Sequence, residues 1–92
     1  MLLEWTPRAR EERNSAIEHI AQENLVAALE QLDKIERQTD KLLQYPEIGR
    51  PGRKQGTREL VIQKTNFIVV YRLNSKIKSI VILRVLHTSQ AY

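Results

Sequence analysis

From Thr57 to Leu86 the chain holds three strand-like runs with almost nothing between them, and no other feature limits the fold as tightly. The runs are Thr57–Gln63 (TRELVIQ), Phe67–Asn74 (FIVVYRLN) and Ile77–Leu86 (IKSIVILRVL), all rich in β-branched residues. Their separators, Lys64-Thr65-Asn66 and Ser75-Lys76, are short and polar. Separators this short join antiparallel neighbours, because a parallel crossover needs about a dozen residues or more. The runs therefore predict an antiparallel meander. The preceding stretch, Pro46–Gly56 (PEIGRPGRKQG), reads as loop: Pro46 stops a helix, and Gly49, Pro51, Gly52 and Gly56 break regular structure.

The first half supplies a cover for that sheet. Leu2–Trp5 reads as a short strand. Thr6-Pro7 starts a helix, with Thr6 as N-cap and Pro7 at the first helical position. Glu11 and Glu12 sit near the positive end of its dipole. Ala9, Ala16, Ile17, Ile20 and Ala21 share one face, and the helix is predicted to reach about Gln22. Asn24 caps a second helix over roughly Leu25–Gln44, with Leu25, Ala28, Leu29, Leu32, Ile35, Leu42 and Leu43 at 3–4 spacing. The connection is very short, so the pair forms an αα-hairpin. The order β-α-α-β-β-β defines one α+β domain over residues 1–92, with the first strand joining the sheet at the third or fourth strand.

Composition narrows the function. With no cysteine and two histidines, His19 and His87, the chain has neither a disulfide framework nor the ligands for a dedicated zinc site, and no cofactor or metal is expected. It shows no signal pattern and no apolar run of membrane-spanning length, so a cytoplasmic protein without a membrane partner is expected. The net charge of +4 conceals a strong asymmetry. Residues 1–46 carry six Lys/Arg against nine Asp/Glu, and residues 47–92 carry nine against two. A sheet half that basic suits an acidic protein partner or a nucleic acid, or serves only to keep the surface soluble. Val69-Val70 and Ile80–Leu83 are apolar on both strand faces. Either the face away from the helices is covered by a dimer mate or bound segment, or the small core is thickly packed.

Two groups of residues could carry chemistry. At the C-terminal strand end stand Arg84, His87, Thr88, Gln90 and Tyr92. Cleavage of RNA needs a base for the 2′-hydroxyl, an acid for the leaving oxygen and cations for the transition state. Strict alternation, however, puts Arg84 on the face of Ile80 and Ile82, and His87 on that of Leu83 and Val85. The second group is the basic series Arg50, Arg53, Lys54, Arg58, Lys64 and Arg72, suited to phosphates or to carboxylates; the plainer alternative is a charged loop with Arg58–Glu59 pairing locally. Aromatics are few (Trp5, Tyr45, Phe67, Tyr71 and Tyr92), so no base-stacking platform is expected, and Phe67 and Tyr71, on one strand face, belong to the core. Asp33, Glu36 and Asp40 read as solvated helix charges. No Walker loop, dinucleotide fingerprint, HExxH or nucleophile elbow is present.

Read together, Arg50-Pro51-Gly52-Arg53, Gly56-Thr57-Arg58-Glu59-Leu60-Val61, Phe67-Ile68-Val69-Val70-Tyr71-Arg72 and Ile82-Leu83-Arg84-Val85-Leu86-His87 with Gln90 resemble the RelE/ParE superfamily of type II toxin–antitoxin toxins, most closely its ParE branch. The resemblance covers essentially the whole chain and implies the fold inferred above. It implies an antitoxin partner of ParD or RelB type whose C-terminal region wraps the toxin in a hetero-oligomeric complex. ParE-like toxins poison DNA gyrase, whereas RelE-like toxins cleave mRNA on the ribosome. RelE-type ribonucleases keep an Arg on the third strand in a pattern like YRLVY; aligned on Val70-Tyr71, that place holds Ile68 here. Loss of such a charge-stabilising donor costs about 3–4 kcal/mol of transition-state stabilisation. The resemblance thus points to a gyrase inhibitor rather than an enzyme, with Arg50, Arg53, Lys54, Arg58, Arg72, Arg84, His87 and Gln90 contacting target or antitoxin. The alternative is a ribosome-dependent endoribonuclease using Arg58, Arg84, His87 and Tyr92, which requires those four groups to converge on one phosphate.

Overall fold

Two helices lie on one face of a five-stranded sheet in the computed structural model, which describes residues 1–89. The elements are β1 (Leu2–Trp5), α1 (Pro7–Ala21), α2 (Leu25–Asp40), one 3₁₀ turn (Lys41–Leu43), β2 (Arg50–Pro51), β3 (Arg58–Val61), β4 (Phe67–Asn74) and β5 (Ser79–His87). Both helix starts follow from their caps. Thr6 Oγ1 accepts the Ala9 N–H at 3.1 Å and donates to the Leu83 carbonyl at 3.3 Å, tying the start of α1 to the sheet. Asn24 Oδ1 accepts the Ala27 N–H at 3.0 Å.

The sheet order is β1-β5-β4-β3-β2. The meander from β2 to β5 is antiparallel, and β1 closes one edge by pairing in parallel with β5 from Leu2–Ser79 to Trp5–Ile82. The first strand therefore sits beside the last, one of its two expected positions. The stretch read as continuous loop contains a strand after all: Arg50 and Pro51 pair with Glu59 and Arg58. Pro51 fits there because an edge position needs no donor on its open side.

Phe67, Val69 and Tyr71 meet Ile80, Ile82 and Val85 beneath Ala9, Ile35 and Leu42, forming the core. The register shows why alternation misreads β5. Val70 lies opposite Arg84 and Tyr71 opposite Ile82, so Leu83 is an extra residue, a β-bulge that reverses which face later residues occupy. Val85 and His87 consequently join Ile80 and Ile82 on the helix side. Arg84, expected on the face of Ile80 and Ile82, shares the register of Val70, whose side is opposite. The apolar residues on that outer side are only partly open: Val70 and Leu86 are buried within the chain, while Ile68, Val81 and Leu83 are half-buried.

The apolar stripe of α2 is wider than the surface it packs on. Ala28, Ile35 and Leu42 are buried, but Leu25, Val26 and Leu29 are 61, 65 and 56% exposed. Farther along α2, Gln38 does the work of a strand partner. Its Oε1 accepts the Gln63 N–H at 2.6 Å and its Nε2 donates to the Gln63 carbonyl at 3.1 Å, satisfying backbone just past the end of β3.

Candidate functional site

The terminal strand is held by a contact that joins residues 72 positions apart in sequence. β1 stops opposite Ile82, so among the described residues the edge of β5 beyond it has no strand neighbour. α1 runs along that edge and offers Glu12. Its carboxylate accepts the Val85 N–H at 3.1 Å and takes Arg84 through both Nε, at 3.0 Å, and Nη2, at 2.7 Å. The two side chains are 19% and 24% exposed. Burial alone would push the Glu12 carboxyl up; the hydrogen bonds from Arg84 and Val85, with the charges of Arg84 and Arg8, outweigh it and hold the group below the usual carboxylate range. Arg84 is thus an internal fastener between β5 and α1.

His87 is exposed at the end of β5. Its ring stands edge-on to Phe67, with centroids 6.1 Å apart, and its Nδ1 lies 2.8 Å from the Ser89 hydroxyl and accepts the Ser89 N–H at 3.2 Å. It borders a groove of about 530 Å³ between α1 and the ends of β4 and β5, together with Glu12, Ala16, His19, Gln31 and Phe67. Among the described residues no three His, Cys, Asp or Glu side chains cluster as metal ligands would.

The basic series divides by role. Arg58 Nη1 donates to the Gly49 carbonyl at 2.8 Å and the Glu47 carbonyl at 3.2 Å, pinning the loop that enters β2. Glu59 pairs not with Arg58, its neighbour on the opposite strand face, but with Arg50, at 3.3 Å from Nε and 3.1 Å from Nη2. The second Glu59 oxygen accepts the Arg53 N–H at 3.3 Å. Tyr71, fully buried, completes this corner: its hydroxyl donates to the Pro46 carbonyl at 2.7 Å and accepts the Gly49 N–H at 2.9 Å. Burial raises its pKa, partly offset by the Gly49 N–H and the charge of Arg58. The side chains of Arg53, Lys54 and Arg72 are exposed, and Lys64 sits at the other end of the sheet, in the turn between β3 and β4.

Of the residues proposed for RNA cleavage, the described ones, Arg58, Arg84 and His87, are not brought together. Arg58 is level with Tyr71 and His87 with Phe67, four residues along β4 and two strands across. That is a separation of about 13 Å along the strand and 10 Å across it. Arg84 is committed to Glu12, and its register position lies on the face opposite Arg58. Gln90 and Tyr92 lie outside the described residues. Sequence reasoning missed Glu12, which carries no local signal beyond its place in the first helical turns. Asp33, Glu36 and Asp40 are exposed, as expected of solvated charges, with Asp33 bonded to Arg37.

Comparison with known proteins gives a consistent relationship. Residues 3–92 match the model of the family described as ParE toxin of type II toxin-antitoxin system, parDE. A protein from Sinorhizobium fredii named "Putative toxin Y4kP" is 33% identical over 90 residues, covering 98% of this chain and 91% of its own. A solved structure of the chromosomal ParDE TA system from P. aeruginosa has a chain that superimposes with a TM-score of 0.83, at 27% identity, over 95% of both chains. The toxin-antitoxin complex RelBE2 from Mycobacterium tuberculosis shares the fold, with a TM-score of 0.59 at 23% identity over 97% of this chain and 92% of that one. Because the family match runs nearly end to end and the S. fredii relative aligns over almost the whole of both chains, this protein belongs to the ParE toxin family of type II toxin–antitoxin systems.

Proposed function

We propose that this ParE-family toxin acts by binding and inhibiting DNA gyrase, and that a cognate antitoxin holds it inactive. The observation that carries the reading is the dispersal of the groups an RNA-cleaving site would need. Arg58 is spent on loop carbonyls, Arg84 on Glu12, and Ile68 stands where a ribonuclease relative would keep an arginine. An inhibitor that works by occupying its target needs none of these to converge. The end of β5 at His87 and the basic turn over Arg50–Lys54 are the proposed contact surfaces, with Gln90 assigned to the same role from the sequence alone. Support for an antitoxin partner comes from the toxin–antitoxin systems that the similar structures represent. The exposed Leu25, Val26 and Leu29 offer apolar anchors such a partner would cover.

The test splits one induced culture. Purified toxin is assayed for inhibition of gyrase supercoiling, and the mRNA of the same cells is mapped for new 5′ ends. Lost supercoiling with intact transcripts is expected. Codon-phased cleavage with active gyrase would replace this reading with ribosome-dependent RNA cleavage. Antitoxin at a hundred times its Kd is expected to stabilise the toxin by about 2.7 kcal/mol, read as a rise in Tm.

A further inference from the structure

Five exposed cations of the sheet half gather at one end of the sheet. β3 runs antiparallel to β4 with Arg58 opposite Tyr71, so the turn over residues 52–57 lies beside the Arg72–Asn74 end of β4. The turn from β4 to β5 is at that same end. Between them these segments present Arg53, Lys54, Arg72, Lys76 and Lys78, all exposed. Arg72 reaches back to the neighbouring turn: its Nε would lie 3.9 Å from a Cβ placed on Gly56. Counter-charge from the sheet half is scarce. Glu59 is the sole acidic residue between positions 48 and 89. It is 5% exposed and already engaged by Arg50 and the Arg53 N–H.

We infer that this end is a docking surface for the phosphate backbone of a nucleic-acid duplex, recognised without regard to base sequence. The cations span β2 to β5, a ridge about 14 Å across at ordinary strand spacing, comparable with the roughly 12 Å major groove of B-DNA. The ridge is built of two turns and the adjoining end of β4. Extended peptides and helices dock on sheet edges or in grooves lined with apolar pockets, and Ile77 is the one strongly exposed apolar side chain within these two turns. Stacking on single-stranded bases has no platform here, since Phe67 and Tyr71 are in the core. Phosphate contact through several separate cations fits the surface best.

The experiment titrates purified protein into a fluorophore-labelled 20-base-pair DNA duplex between 50 and 200 mM salt and follows anisotropy. With about four phosphates neutralised, log affinity should fall with log salt at a slope near −4, on the order of a hundredfold loss across the range. R53A/R72A should flatten that slope by about 2. R10A/K64A removes the same charge from α1 and from the opposite end of the sheet, and should leave the slope unchanged. Duplex RNA should bind within a few fold of duplex DNA. The inference is overturned by no binding at 50 mM salt, by equal flattening in both variant pairs, by tighter binding of a single strand than of either duplex, or by a polyglutamate peptide displacing the duplex at equal charge. Gyrase is absent from the assay, so the outcome stands apart from that of the supercoiling test.

Discussion

Replacing Glu12 by Gln tests whether the end of β5 is fastened as the geometry indicates. Gln keeps the volume and can still accept the Val85 N–H, so the change removes mainly the charge facing Arg84. Breaking a fully buried pair costs about 3–5 kcal/mol, and an exposed pair is worth about 1 or less. With side chains 19% and 24% exposed the contact lies between these limits, and a loss of about 2 kcal/mol is expected. For a domain of this size that lowers Tm by roughly 8–15 °C. The pH dependence separates a lost charge pair from general damage. The Glu12 carboxyl titrates below its unfolded value, so its contribution is complete above that value, about 4.3, and disappears as pH falls through the lower folded one. Wild type should therefore lose its advantage over E12Q on acidification from pH 6 to 3, as read by urea denaturation at each pH. E12Q/R84M, which removes both charges, should recover part of the loss. Parallel stability profiles for wild type and E12Q across that range would refute the reasoning.

Tyr71→Phe removes the hydroxyl that holds Pro46 and Gly49 and leaves the Gly49 N–H buried, so about 1–3 kcal/mol should be lost in denaturant melts. Because burial raises the Tyr71 pKa, its contribution is present below about pH 10 and lost as pH rises through the folded value; the variant should lack this alkaline loss. Gly49→Ala would put a Cβ 2.6 Å from the Tyr71 ring and hydroxyl, and a fully buried Tyr71 has no room to withdraw. The expected cost is at least about 2 kcal/mol, measured the same way. His87→Ala removes one contact among several and should weaken supercoiling inhibition only modestly, whereas loss of a general base would reduce an RNA-cleavage rate about 10²–10⁴-fold.

The parts of the fold legible in the sequence are those set by neighbours along the chain. Thr6-Pro7 and Asn24 mark helix starts because a cap acts within three residues. The short separators around Lys64 and Ser75 force antiparallel pairing for the same local reason. What stayed hidden depends on partners distant in sequence. The pairing of Arg50 with Glu59 makes a two-residue strand too short to show any periodicity. Glu12 and Arg84 meet only because α1 lies along the edge that β1 leaves open. Leu25 and Leu29 continue the apolar spacing of α2 past the surface available to bury them, so the pattern overstates the core. Within the candidate site, the sequence marked Arg58, Arg84 and His87 as chemically capable, but not that all three are already engaged with the protein itself.

The extra residue at Leu83 also sets how the end of this chain can be matched to its relatives. In a strand without the bulge, the position aligned with Val85 would point away from the helices, and everything after it would exchange sides. A gap of a single residue here is therefore a change of orientation rather than a change of length. Two chains can agree letter for letter through Ile80–Ile82 and still show opposite sets of side chains to a partner beyond that point. Transfer of a functional residue onto His87 or its neighbours is sound only after the bulge has been counted.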